Sequence, residues 1–376
     1  MRTPTIFLIV LAVVALTTSP KSSHACERPL ALQGKGGLEL PGILSIPCGV
    51  PNDEVEKVVI LIHGSGPMGM NSDLTDATRD KQENPLFQNV SGTLMKEGFA
   101  VIRYDKRSHV WKTRIEKDPK VAQDPALADL PKNLYAYLIS DVKQAIAWSK
   151  RYLKNAQITL LGHSQGAYIA LQAAHNNPDV KGVALWGFYA TSMGTIAYTQ
   201  TVHRTLERLK ALDSNSDGSW TARELSKKHL NFEGIESSFS RTGIKKAFKT
   251  IDRDGDKTLS TQEIKAFLLS SALPYGLVGS LEKQEAPYPT AMEILRSAAF
   301  KTAFFHGTWD NQTPVFHTWA AESILKQTKP KEQIHFRYFP KLGHGLDPRE
   351  NPMDFLFQPP DPEALKTLAK DLKAFL

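Results

Sequence analysis

The sequence predicts an α/β fold built on a mostly parallel sheet, and three features predict it. Short runs such as residues 58–62 are wholly apolar, as strands covered on both faces must be. Longer stretches with apolar residues three and four apart lie between such runs, as in residues 133–154. The two kinds of segment alternate, which is what a sheet with helices packed on it produces, and the alternation breaks once, near the middle. With 376 residues, 41% hydrophobic and 23% charged, the chain has the make-up of one large globular domain carrying an insertion.

The first segment, residues 1–25, places Arg2 before an apolar run of roughly a dozen residues and ends on Ser23-His24-Ala25, with small residues at both cleavage-determining positions. This reads as a secretory signal, so the protein is expected to be secreted or periplasmic. The run is too short for a comfortable span, and no later segment approaches ~20 uninterrupted apolar residues, so no membrane span is expected. The two cysteines, Cys26 and Cys48, would then meet an oxidising compartment and are expected to pair as a disulfide. Closing a loop of about twenty residues contributes ~3 kcal/mol on the chain-entropy view. A lipid anchor on Cys26 competes, but Ser23 stands where such sites usually carry an aliphatic residue. Without Arg2 and Lys21 the formal charge falls from +7 to +5. No concentrated basic run with interleaved aromatics occurs, so a nucleic-acid partner is not expected.

Strands are predicted at residues 43–46, 57–62, 100–104, 158–161, 183–186, 302–305 and 334–338. Between residues 187 and 288 strand-like runs vanish and helix-rich, Lys- and Asp-rich sequence takes over. The chain therefore divides into a signal (1–25), a first core part (26–190), a helical insert (191–287) and a second core part (288–376).

Directly after the run 158–161 comes Gly162-His163-Ser164-Gln165-Gly166, followed by an apolar helix. This is G-x-S-x-G in the strand, sharp turn and helix setting that presents a serine hydroxyl at a helix amino terminus, where developing negative charge is favoured. A serine capping a helix is the plainer reading of the motif alone. A nucleophilic serine needs a base and an orienting acid, expected downstream in the order Ser, acid, His. Asp310, after the run 302–305, and His344, after the last strand, stand in that order in loops at carboxyl ends of strands. Asp105 precedes the serine and reads as structural, and His203 and His317 fall on predicted helices. His63-Gly64-Ser65-Gly66-Pro67 follows the strand 57–62, and its glycines free the chain to point N–H groups into a site. The oxyanion donors are assigned to the N–H of Ser65 and of Gln165.

On these residues the sequence resembles the α/β-hydrolase superfamily. Residues 63–67, Asn84-Pro85-Leu86-Phe87 and the run 101–107 are similar to bacterial esterases of the dienelactone-hydrolase and acyl-peptidase-like branch. The resemblance implies hydrolysis of short acyl esters, with Ser164 as nucleophile, His344 as base and then acid, and Asp310 as orienter. The long helical insert departs from that pattern.

Within the insert, DSNSDGSWTARE meets every position of an EF-hand calcium loop, with Asp213, Asn215, Asp217, Gly218, the Ser219 carbonyl, Thr221 and Glu224. A second loop offers Asp252, Asp254, Asp256, the Thr258 carbonyl and Glu263, with Lys257 at the glycine position. The pair resembles a two-EF-hand unit over residues 202–269. If Lys257 takes positive φ it costs of order 1 kcal/mol, so the second site is expected to be weaker. Calcium is read as a structural staple of a cap over Ser164, since extracellular calcium would keep even weak sites filled.

The leading expectation is thus a secreted serine carboxylesterase acting on a small-molecule ester, with two structural calcium sites and no organic cofactor. A peptidase or aminopeptidase using the same triad is the first alternative. A calcium-dependent binding protein with an inactive site is the second.

Overall fold

The run Lys57–Ile62 forms β3 because its alternating side chains both meet apolar layers: Val58, Ile60 and Ile62 enter one cluster, and Val59 and Leu61 another. The computed structural model describes residues 25–78, 81–225, 244–272, 275–354 and 356–376. The signal reading falls on residues 1–25, of which all but Ala25 lie outside the described residues.

The remaining strands are β1 (Ala25–Gln33), β2 (Glu39–Pro47), β4 (Ala100–Tyr104), β5 (Gln157–His163), β6 (Val180–Trp186), β7 (Ser219–Thr221), β8 (Thr258–Ser260), β9 (Lys301–Gly307) and β10 (Ile334–Phe339). Eight of them form one sheet in the order β1-β2-β4-β3-β5-β6-β9-β10. The β1/β2 and β2/β4 pairs are antiparallel and the others parallel. From β3 the chain goes to β4 on one side and returns to β5 on the other. The crevice outside the carboxyl ends of β3 and β5 is therefore a topological switch point, where open α/β sheets place ligands.

Every strand predicted in the core is present, and β1 is an addition. Its burial alternates at Leu30 and Leu32, and Pro29 interrupts it. A proline lacks a ladder donor and is tolerated on an edge strand. Cys26 and Cys48 are joined as a disulfide that ties the start of β1 to the end of β2.

Helices Leu134–Tyr152, Gln165–Ala174 and Phe316–Thr328 cover one face of the sheet, and Leu86–Lys96 and Pro362–Phe375 the other. The helix Gln165–Ala174 is buried along its whole length. No helix among the described residues is long and apolar enough to cross a membrane.

The segment between β6 and β9 has its own apolar cluster, with Val202, Leu209, Trp220, Ile251, Leu259 and Leu268 among its members. Its ends behave differently: Met193, Ile196 and Leu281 pack into the main core. It also holds the short strands β7 and β8, which the sequence pattern did not predict. They pair antiparallel through Trp220 and Leu259, so the two acidic loops lean on each other. Trp220 donates its indole N–H to the Leu209 carbonyl at 2.7 Å.

Candidate active site

The Gly162–Gly166 turn exists because two backbones pass too close for any side chain. A Cβ on Gly162 would lie 2.2 Å from the Gly166 carbonyl oxygen, and one on Gly166 would lie 2.1 Å from that of Ile62. The serine between them takes φ 58, ψ −124, outside the regions a non-glycine residue favours. Strain of this kind costs about 1–3 kcal/mol and persists only where the surroundings enforce it. Here the Ser164 N–H donates to the Trp186 carbonyl at 2.8 Å, which pins the turn to the end of β6.

Asp310 and His344 come from loops after β9 and β10, and the parallel pairing of those strands puts the loops side by side. The Nδ1 of His344 lies 2.7 Å from Asp310 Oδ2. The other carboxylate oxygen, Oδ1, accepts the N–H groups of Gln312 and Thr313, both at 2.9 Å. Asp310 is thus a turn former through one oxygen and a histidine partner through the other. Oδ2 also accepts the Thr313 hydroxyl at 2.8 Å and lies 3.2 Å from His306 Nε2. Burial alone would raise this carboxyl, but the charge of His344 and hydrogen bonds from His306 and His344 outweigh it and hold Asp310 well below the usual carboxylate range.

With Nδ1 turned to a carboxylate, His344 carries its proton there and leaves Nε2 as the free acceptor. Its ring sits 4.6 Å, centroid to centroid, from that of His163, the residue before Ser164. His163 Nε2 lies 3.1 Å from the His344 carbonyl oxygen. Gly187, at φ 64, leaves room for the imidazole, since a Cβ there would come within 2.9 Å of His344 Cε1. The His344 loop is tied by Asp347, which accepts the N–H groups of Gly345 and Gln358 and pairs with Arg349 in the interior.

The His63–Pro67 loop crosses the same crevice, and Gly64 approaches Ser164 so closely that a Cβ would sit 3.2 Å from that of the serine. The N–H of Gln165, first residue of its helix, is one of the four that a helix leaves without an internal partner. Ser65 is exposed, and its N–H meets no acceptor among the described residues.

Sequence reasoning missed the residues that fix these groups. Lys106 donates to the Gly64 carbonyl at 2.6 Å and to Gln165 Oε1 at 2.9 Å. His306, wholly buried, holds the Asp310 turn through the Thr313 carbonyl at 2.7 Å. A charged residue just past a strand, as in Asp105-Lys106-Arg107, was the available signal for the first. Asp105 is structural: its Oδ1 accepts the Met70 N–H at 2.7 Å. His203 ends a π-helical turn and His317 lies on the helix Phe316–Thr328.

The pattern described as the alpha/beta hydrolase fold matches residues 57–337, most of the chain, a range that holds Ser164 and Asp310 and ends seven residues before His344. The chain belongs to the α/β-hydrolase family. Esterase EstD of Thermotoga maritima is 28% identical to this α/β hydrolase over 138 residues, which span 37% of this chain and 28% of that esterase. A solved lipase in an open form is 15% identical, with 93% of this chain and 98% of that one covered and a TM-score of 0.50, which bears on the fold alone. The dienelactone hydrolase of Anabaena variabilis ATCC 29413 is similar at 15% identity, 93% and 96% coverage and a TM-score of 0.46.

In the insert, Asp252, Asp254 and Asp256 bring carboxylate oxygens within 4.8 Å of one another. Lys257 takes φ 66. In the first loop Asp213 accepts the N–H groups of Asp217 and Gly218, and Ser219 donates to Asp217 at 2.8 Å, so the carboxylates curl inward. Glu224 and Glu263 fold back onto the N–H groups of Ser214 and Arg253. Residues 226–243 of the proposed two-loop unit lie outside the described residues.

Two buried histidines set an acid limit on this α/β hydrolase. Burial, with Lys106 adding to it at His63 and His344 at His163, lowers both rings from the usual 6.5 to about 3. The unfolded chain takes up these protons from about pH 6.5 downward and the folded one only near 3. The stability they contribute is therefore present above pH 6.5 and lost as the pH falls toward 3, by a few kcal/mol per ring, to order of magnitude. The expected result is a thermal midpoint that drops steadily from pH 6.5 to pH 4. A flat profile over that range would contradict neutral, buried rings at His63 and His163.

Proposed function

We propose that this α/β hydrolase is a secreted or periplasmic serine esterase that works through an acyl-enzyme. The single observation that carries the reading is the 2.7 Å Asp310–His344 pair, set against His163 and Gly187 beside the strained Ser164 turn. In this mechanism Ser164 Oγ attacks the ester carbonyl carbon and its proton passes to His344 Nε2. Asp310 holds the tautomer and faces the imidazolium that forms. The N–H groups of Ser65 and Gln165 receive the oxyanion, each donor contributing ~3 kcal/mol of transition-state stabilisation. The intermediate collapses by expelling the alcohol, which takes the proton from Nε2. A water activated by the same nitrogen then attacks the acyl-enzyme, and the carboxylate leaves.

The insert is proposed to bind calcium as a structural staple. Asp213, Asn215, Asp217, the Ser219 carbonyl and Glu224 would supply one set of hard oxygen ligands, and Asp252, Asp254, Asp256, the Thr258 carbonyl and Glu263 the other. Its position as a cap has support from Gln200, whose side chain donates to the Gln312 carbonyl at 2.9 Å, two residues from Asp310.

The test is a chain-length series of p-nitrophenyl esters beside aminoacyl and dipeptidyl p-nitroanilides. Hydrolysis of short acyl esters is expected, with anilides cleaved at least about a hundredfold more slowly. Preference for the anilides would replace the esterase by a peptidase, and inertness toward both would leave the family fold without this activity.

A further inference from the structure

The geometry points to Lys106 as the positioning residue of the oxyanion site, one ammonium that grips both halves of it. The inference rests on the hydrolase reading and extends it to a residue outside the triad and its two donors.

The carbonyl of Gly64 and the N–H of Ser65 belong to one planar, trans peptide unit and point in opposite directions. Lys106 Nζ holds that carbonyl oxygen at 2.6 Å. It therefore fixes the plane of the unit and turns the Ser65 N–H away from the ammonium. A charge-assisted bond on the carbonyl also polarises the peptide and strengthens its N–H as a donor. The same Nζ lies 2.9 Å from Gln165 Oε1, so the residue carrying the second donor is held by the same group. Loop and helix are registered against each other through one cation.

The setting is costly for a merely structural lysine. Lys106 is buried, and no carboxylate pairs with it among the described residues. The acid lining the small cavity around it, Asp141, is taken by Arg107 at 2.6 Å and 2.9 Å. The other titratable ring there, His63, is kept neutral by burial and donates its Nε2–H to the Gly69 carbonyl oxygen at 3.0 Å. Taking an ammonium out of water without a counter-charge carries a desolvation cost that an apolar residue of the same length would not incur. Burial pushes Lys106 down to about 7. A site that keeps such a group against its folding cost is one where function is the usual reason.

The experiment compares wild type, Lys106→Met and Lys106→Gln for kcat and KM on p-nitrophenyl butyrate, with thermal midpoints and fluorophosphonate labelling of Ser164 in parallel. The expected result for Lys106→Met is a kcat lower by roughly 100- to 1,000-fold, the range of one oxyanion donor. KM should stay within about threefold and the midpoint should be equal to or above wild type. Lys106→Gln, an uncharged donor, should lie between the two and carries the test if the methionine variant does not fold. A kcat within threefold of wild type overturns the inference and leaves the esterase reading intact. Loss of kcat only in step with loss of folded protein, or failure of both variants to fold, overturns it too, since Lys106 would then be structural. Wild type that neither hydrolyses the ester nor is labelled overturns the underlying reading, and the inference with it.

Discussion

Replacing Ser164 by alanine is expected to lower kcat for ester hydrolysis by roughly 10⁵-fold or more while the protein stays folded. The size follows from the division of labour in the site. In the proposed mechanism the Ser164 hydroxyl forms the acyl-enzyme, and without it what would remain is the weak catalysis of the oxyanion donors acting on bound water. Ser164→Ala should also relieve little strain, because the φ of 58 is imposed by the Gly162 and Gly166 contacts. Its thermal midpoint should therefore stay within a few degrees of wild type. Asp310→Asn makes the companion case. The amide keeps the Gln312 and Thr313 turn through its carbonyl oxygen and so presents its NH₂ group, a donor, to His344 Nδ1. The ring loses the tautomer that leaves Nε2 free, and kcat is expected to fall about 10³- to 10⁴-fold. Steady-state kinetics with active-site labelling checks both. An alanine variant retaining more than about a hundredth of the wild-type kcat would remove Ser164 from the nucleophile's role.

Removing calcium is expected to destabilise the insert by about 4 kcal/mol if the metal is present at a thousand times its dissociation constant. The insert's separate cluster around Trp220 and Leu259 makes the effect local: a low-temperature unfolding step should appear on chelation, ahead of the main transition. The β7–β8 pairing couples the loops, so Glu224→Gln should weaken the second site as well as the first. Lys257→Gly should act in the opposite direction. A non-glycine residue at φ 66 costs of order 1 kcal/mol, and relieving it corresponds to about fivefold tighter calcium at that loop. Calorimetric titration of calcium and differential scanning with chelator check these outcomes, and a thermogram unchanged by chelation would rule out the staple. If the insert bounds the acyl pocket, chelation should also shift the chain-length preference of the esters.

The central strands β3 to β6 and β9 were legible because each is a largely apolar, largely buried run, whereas β2 alternates and β10 is mixed and mostly part-buried, so these two were legible from their β-branched and aromatic residues. The Ser164 turn was legible for a related reason. Its two glycines answer contacts within a few residues or with the adjoining strand, and such local demands are written in local sequence. Asp310 and His344 could be named from their order and their place after strands. A loop position by itself does not distinguish a turn-forming aspartate from a histidine's partner, and the structure gives Asp310 one oxygen for each role.

By itself, then, the sequence determined the layers, the strand-to-helix turn that carries Ser164 and the residue types of the acidic loops. Tertiary structure alone decided the edge strand β1, whose proline and short alternation take meaning only beside β2. It alone decided the pairing of β7 with β8, which joins residues some forty positions apart. It alone decided that Lys106 reaches Gly64 and Gln165, because that contact joins three segments separated in the chain and brought together at the β3–β5 switch. The physical reason is the same in each case. Propensity and hydrophobic pattern act over a few neighbouring residues, whereas a buried ammonium or a carboxylate oxygen takes its partner from whatever the packed sheet brings within 3 Å.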